Sequence, residues 1–456
     1  MINEIFTERM KKLLGNEYEQ FMKSLESPPV RGLRVNGIKI SPERFFEETK
    51  LNLERLSYVT EGAILKDDVT IGNTPEHQAG MIYMQDPGAM SALSALDVCA
   101  GWWVIDLCAA PGGKTTQAAA KIGSEGFILA NEYVPKRAKI LVSNMERLGV
   151  MRGMVTSMDT GTIANMFSSV FDLVICDAPC SGEGMFRKSD AAEEEWSAEN
   201  VLLCTSRQAE ILENAKGLVK SGGYLLYSTC TYSEEENEGT VAAFLGANPE
   251  FECVAVRDEL IKVTSSAIMR EGYPEGVKHA RRFYPHVSRG EGQFVALMRK
   301  KSTGDMPIIL YKDSTKPLSK NENEIVSRFF REALVKAPDG KIRKHNDNIV
   351  LIPHDCPVPA NSVFMSGILL GEIRGQLLYP SHQFFSVFGN YFKLCENLLP
   401  GDERIEKYLA GEETQAKEAS GSGWCAVKYN GAPLGGGKIS GGRIKNHYPK
   451  GLRIKK

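Results

Sequence analysis

The chain has 456 residues, 42% of them hydrophobic and 25% charged, with a formal net charge of -2 at pH 7. Shares so near soluble averages exclude wholesale disorder and a membrane-resident chain, and the near-neutral total does not announce a nucleic-acid binder. The length exceeds one ordinary core and predicts two or three domains.

The first residues, Met1 to Met10, carry acids early and hold no apolar core of signal-peptide length. No apolar run approaches a membrane span, so a cytoplasmic protein is expected. Residues 1–75 read as a small α+β domain. A helical pattern runs through Ile5, Phe6, Met10, Leu13 and Leu14, stops at Pro28-Pro29, and gives way to Arg31-Gly-Leu-Arg-Val-Asn36.

From about Gly101, short apolar runs alternate with helical patterns, the signature of a parallel sheet wrapped by helices. Residues 76–300 are therefore expected to form an α/β, Rossmann-like domain. Strands are predicted at Trp103–Leu107, Gly126–Ala130, Gly153–Thr156, Phe171–Cys176 and Tyr224–Ser228, with Phe294–Met298 closing the sheet. Helices are predicted near Thr115–Ile122, Pro135–Leu148, Glu199–Val219 and Glu234–Leu245.

The first of these strands ends in Asp106 and turns through Cys108, Ala109, Ala110, Pro111, Gly112 and Gly113 into a helix. Such a turn offers backbone N–H groups and small residues to a closely approaching ligand. Gly113-Lys114-Thr115 suggests a phosphate loop, but that loop needs glycine where this chain has Cys108, which argues against an NTPase. Glu132 ends the next strand and Asp159 follows the third. A lone acid there is usually a turn residue or helix cap. Acids at successive strand ends instead suit a ligand with ribose hydroxyls and an adenine amine, bound where such folds take ligands.

Asp177-Ala-Pro-Cys180 leaves the strand Phe171–Cys176, and Cys230 follows Tyr224–Ser228, so the two thiols should converge at the cradle's sheet edge. Their Pro, Ser, Thr, Gly and acidic neighbours favour activatable thiols over packed ones. Cys99, Cys204, Cys253, Cys356, Cys395 and Cys425 are instead expected as small buried hydrophobes. With no secretion signal, no CxxC pair, and no histidine near Cys176 and Cys180, neither disulfides nor a metal site is expected.

Residues 301–320, opening on Lys301-Ser-Thr-Gly-Asp305, read as a linker, and 321–456 as a further unit separable from the catalytic sheet. Its end carries Lys438, Arg443, Lys445, Lys450, Arg453, Lys455 and Lys456 without an acid. That run is either a solvated tail or a phosphate-binding patch.

Taken together, Asp106–Thr115, Asp177-Ala-Pro-Cys-Ser-Gly-Glu-Gly184 and Ser228-Thr-Cys-Thr-Tyr-Ser233 resemble the Nop/Sun family of RNA cytosine-5 methyltransferases, from Gln85-Asp-Pro-Gly88 to Gly290-Glu-Gly-Gln-Phe294. The resemblance implies S-adenosylmethionine as cofactor, held by Cys108 to Lys114, with Glu132 on its ribose and Asp159 and Asp177 completing the pocket. It implies Cys230 as the nucleophile and Cys180 as the thiol of product release. DNA cytosine methyltransferases attack with a Pro-Cys thiol, and motif spacing alone does not decide between the two. Asp177 is the expected contact to cytosine N3, with Lys114 beside it.

Gly423–Lys438 with Gly442-Arg-Ile-Lys-Asn-His-Tyr-Pro-Lys450 resembles the PUA-like RNA-binding module of bacterial ribosomal-RNA members, which implies 16S rRNA or a small-subunit particle as partner, and a monomer is expected. Arg31, Arg34, Arg282, Lys445 and Lys450 are the expected RNA contacts, and residues 1–75 an RNA-binding subdomain. Transfer RNA as substrate, or a noncatalytic RNA-binding assembly factor, are the competing readings. The intact Cys180, Cys230, Asp177 and Lys114 argue against the latter.

Overall fold

The computed structural model describes residues 3–302, 304–310, 315–357 and 363–454. Helix Glu4–Leu14 starts where the Ile5 N–H donates to the Asn3 side chain (2.9 Å), and it buries Phe6 and Met10. Together with Tyr18–Leu25, which buries Phe21, it packs on Phe186, Trp196, Tyr232 and Tyr284 of the central domain. The N-terminal helices therefore brace the segments that follow both motif cysteines.

A four-stranded antiparallel sheet comes next, in the order Leu53–Arg55, Gly62–Leu65, Gly32–Val35, Ile82–Met84. Its last strand lies beyond the boundary expected at residue 75, because Ile82 pairs with Val35.

In the central domain, parallel strands run in the order Gly153–Thr156, Phe127–Asn131, Trp103–Asp106, Phe171–Asp177, Val219–Thr229. The chain moves outward from Trp103–Asp106 and returns on its other side as Phe171–Asp177. That reversal is the topological switch point, where folds of this kind open a ligand crevice. Ile105, Phe127 and Leu129 belong to one apolar core, while Val104, Ile128 and Ala130 belong to the other. The sheet is thus covered on both faces, as its continuous apolar strands require.

Both edges differ from expectation. Gln293–Lys300 does not close the sheet, since Arg281–Phe283 and then Ser265–Ser266 pair beyond it. At the other edge Val363–Ser366, from the C-terminal region, runs antiparallel to Gly153–Thr156. Parts of the expected linker are also ordered: Ile308–Ile309 pairs with Phe167–Ser168, and Lys316–Pro317 with the strand Lys341–His345. Thr303 of that linker lies outside the described residues, as do Lys455 and Lys456 of the basic end.

Beyond it, helix Lys320–Ala333 opens on a capping box formed by Ser319 and Glu322. A final sheet follows in the order Leu394–Leu398, Gly423–Tyr429, Ala432–Ser440, Arg443–Asn446, Thr414–Gln415. This unit packs on the rest of the chain: Tyr408 and Val427 share one core with Leu33, Phe45 and Ile82 of the N-terminal domain. Tyr429 donates its hydroxyl to Glu76 and Tyr448 donates to Gln78, at 2.6 Å each. Among the described residues no helix is long and apolar enough to cross a membrane.

Candidate active site

Asp106 ends the central strand, fully buried, and accepts from the Thr115 hydroxyl at 2.6 Å. Its other oxygen is buried without a partner. Burial, opposed by the Thr115 bond, pushes this carboxyl up to about 7. The cradle then turns through Gly112, at φ +112, into helix Gly113–Ile122. A Cβ on Gly112 would sit 3.1 Å from Leu141, and one on Gly113 3.2 Å from the Gln85 amide, so both glycines permit close packing behind the turn. Burial, and after it the carboxylates of Asp106, Asp177 and Glu132, hold the Cys108 thiol far above its ordinary range. Three strand-end acids thus converge on the cradle.

Glu132 is buried, accepts from the Val134 N–H (2.9 Å) and lies 3.4 Å from Arg137. Arg137 also donates to the Ala110 carbonyl at 2.8 Å, tying the cradle to the next helix. Asp159 is committed differently: its oxygens accept from the Thr162 N–H (2.8 Å) and hydroxyl (2.6 Å), capping helix Thr160–Met166.

At the other side of the switch point, Lys114 Nζ lies 2.8 Å from Asp177 Oδ2, and the Ser228 hydroxyl donates to Asp177 Oδ1 at 2.7 Å. The two thiols meet beside this pair, with Cys180 Sγ 3.2 Å from Cys230 Sγ and accepting from the Cys230 N–H at 3.3 Å. The bond to Cys230, then burial, raises the Cys180 thiol well above its ordinary value.

Two buried carboxylates cross-link the thiol loops, and sequence reasoning missed both. Glu183, three residues after Cys180, accepts from the Thr231 hydroxyl and Tyr232 N–H (2.9 Å each) and from Trp196 Nε1 (3.0 Å). In return Glu236, six residues after Cys230, accepts from the Ser181 N–H (2.9 Å), the Ser181 hydroxyl (2.5 Å) and Gln208 (2.9 Å). Each cysteine loop is therefore fastened by an acid from the other. Glu236 lies in a π-helical turn, Glu235–Gly239, that buries Glu236, Asn237 and Glu238 in succession. Three successive buried polar residues leave no periodic signal in a sequence.

Two expected RNA contacts are corrected by burial. Arg34, fully buried, donates to Gln85 (2.9 Å), Thr116 (2.8 Å) and the Gly113 carbonyl (3.2 Å), joining the N-terminal sheet to the cradle helix. Arg282, also buried, pairs with Glu238 and donates to the Tyr232 carbonyl at 2.7 Å. Neither guanidinium faces solvent. Arg31 is half-buried and spans Asp68 and the Val69 carbonyl, while Lys445 and Lys450 are exposed. Of the other cysteines, Cys204, Cys253, Cys356 and Cys425 are buried, but Cys99 is exposed and Cys395 half-buried, contrary to expectation. Cys395 donates instead to the Phe392 carbonyl at 3.2 Å. No group of three or more His, Cys, Asp or Glu suited to a metal occurs among the described residues.

A glycine cradle at the switch point of a doubly wound sheet, flanked by strand-end acids, is the arrangement of a Rossmann-like methyltransferase core, and this fold is of that class. Comparison with known proteins narrows it. The model of the 16S rRNA methyltransferase RsmB/F family matches residues 93–299, that of the RsmF N-terminal domain residues 2–87, and that of the RsmF PUA domain residues 395–454. The chain belongs to this family. It is 32% identical to ribosomal RNA small subunit methyltransferase F of Vibrio campbellii over 99% of this chain and 97% of that one. The protein of the same name from Erwinia tasmaniensis is 32% identical, over 98% and 96% of the two chains. Among solved structures, a methyltransferase homolog from Pyrococcus horikoshii superposes with a TM-score of 0.58 at 30% identity, over 65% of this chain and 95% of that one. NSun6 of the same organism, crystallised with SFG, shares the fold at a TM-score of 0.54 and 22% identity, over 64% and 97%.

Proposed function

We propose that this protein methylates carbon 5 of a cytosine in 16S ribosomal RNA, with S-adenosylmethionine as the methyl donor. The observation carrying this reading is the pair of thiols 3.2 Å apart beside the Lys114–Asp177 pair. The cradle fits the donor: Gly112 supplies the positive φ on which the turn depends, Glu132 stands ready for ribose hydroxyls, and Asp106 keeps an unpartnered buried oxygen. Asp159 is assigned to the adenine side in addition to its capping role. Bound there, S-adenosylmethionine supplies an electrophilic sulfonium methyl group.

Cytosine C5 is a poor nucleophile until a thiolate adds at C6. Cys230 forms that S–C6 bond, and the displaced π pair makes C5 nucleophilic enough to take the methyl group. Asp177, in its protonated form, donates to N3 of the base, where negative charge grows during addition, and Lys114 Nζ positions its carboxyl group from 2.8 Å. As the C5 proton passes to solvent, the C5–H pair re-forms the C5=C6 bond and the S–C6 pair leaves with the Cys230 sulfur, the release step assigned to Cys180. The base must leave its stack to reach these groups. Arg31, Lys445 and Lys450 are assigned to phosphates, and a ribosomal target puts a monomeric enzyme to work in the cytoplasm.

Bisulfite sequencing of 16S and transfer RNA from a deletion strain tests the substrate: a lost 16S site restored by complementation is expected, and a lost site only in transfer RNA overturns it. For the chemistry, Cys230→Ala should form no covalent RNA complex, whereas Cys180→Ala should accumulate one that survives denaturing electrophoresis. The opposite pattern reverses the two roles.

A further inference from the structure

A cavity lies far along the chain from the thiols, where helix Lys320–Ala333 and residues 377–379 meet the final sheet. Its volume is about 350 Å³, and Trp424, Tyr379, Arg328, Lys393 and Lys438 line it, with Glu332 as the one carboxylate. The sheet register explains the cluster. Trp424 lies opposite Lys438, which lies opposite Lys445, while Leu394, just after Lys393, lies opposite Cys425, just after Trp424. One row across the sheet therefore reads tryptophan, lysine, lysine, and Lys393 lines the cavity from just before the neighbouring strand.

Around the indole, Tyr379 packs edge-on at 6.0 Å and His447 at 4.7 Å, and Lys438 Nζ lies 5.9 Å from its centroid. Arg374 sits 5.0 Å from the Tyr379 ring. Burial, and after it the charges of Lys445, Lys438 and Arg374, hold His447 below its ordinary value. Aromatic faces ringed by cations are what single-stranded nucleic acid binds, bases stacking while phosphates meet the charges. A pocket of this size is at the lower end of those that hold small organic groups. The wall built from residues 320–379 falls between the stretches matched by the family models.

We propose that this cavity is an RNA subsite, which takes one unstacked nucleotide of the substrate against Trp424 and Tyr379 with its phosphates on Lys393, Lys438 and Lys445. This rests on the RNA-methyltransferase reading and adds to its phosphate contacts a base-stacking site away from the reacting cytosine. The test uses the full chain, a short fluorescein-labelled oligouridine, and the variants Trp424→Ala, Trp424→Phe and Lys438→Glu. Trp424→Ala should weaken binding by about fivefold or more, the smallest loss expected for one base–aromatic stack, and Trp424→Phe should restore most of it. Lys438→Glu should weaken binding and flatten its salt dependence. Calorimetric binding of S-adenosylmethionine should be unchanged in all three, which reports an intact fold. Parental affinity in both Trp424→Ala and Lys438→Glu overturns the subsite. Failure of the parent chain to methylate 16S rRNA overturns the underlying reading instead, so the two failures are distinguishable.

Discussion

Asp106 and Glu183 are carboxyls that burial raises to about 7 in each case. Both bind protons more tightly folded than unfolded, so the stability they allow is full below the unfolded carboxyl range and is lost as pH rises through about 7. The ligand-free protein should therefore melt lower at about pH 8 than at about pH 5, with a loss of the order of 2.5 kcal/mol across that window from a carboxyl shifted as far as Asp106. Thermal denaturation across that window checks this, and Asp106→Asn should flatten the profile; an unchanged slope would assign the effect elsewhere. At this scale the sequence was informative where chemistry clusters locally, as in Cys180, Cys230, Lys114 and Asp177. It was silent on Glu183 and Glu236, whose importance comes from partners about 50 residues away. Arg34 and Arg282 misled for the same reason: an arginine reads as surface charge until the fold supplies its buried acceptors.

The elements that hold the thiols are loops, and their rigidity comes from the crossed carboxylates and from close backbone contact. Gly184 donates its N–H to the Cys230 carbonyl at 2.9 Å, and a Cβ there would lie 2.8 Å from that oxygen and from backbone atoms of Gly292. Gly184→Ala should push the Cys230 loop aside and lower kcat at least about tenfold, the scale expected when a reacting group is displaced by a fraction of an ångström. Donor binding should be unaltered, as calorimetry can establish, because the cradle lies on other strands. The cradle strands were legible because each is a compact apolar run ending in a turn. The strand Val363–Ser366 was not, since four residues of unremarkable composition become a strand only when Gly153–Thr156 offers them an edge. The helix expected at Glu234–Leu245 likewise begins as a π-turn, a geometry fixed by the buried Glu236 and Glu238 rather than by propensity.

Across the whole molecule, the C-terminal unit is part of the same body as the catalytic sheet. Truncation before Asn321 removes Val363–Ser366 from the sheet edge and strips Tyr408, Val427 and Tyr448 from the core they share with the N-terminal domain. The truncated chain should lose solubility and donor binding together, as size-exclusion chromatography and calorimetry would show; a monodisperse, donor-binding fragment would refute the shared core. A milder change, Tyr448→Phe, removes one hydrogen bond to Gln78 and should cost about 1 kcal/mol in denaturant unfolding.

The strand at Val363–Ser366 also bears on how the protein is made. A ribosome finishes Gly153–Thr156 some 200 residues before it delivers the partner for that strand's free side. Until then the nascent catalytic sheet presents an open row of N–H and C=O groups, the kind of template that recruits a neighbouring chain. Closure of the sheet thus waits for Val363–Ser366, and a transcript interrupted after the last catalytic motif yields a chain with both motif cysteines and an unsealed margin.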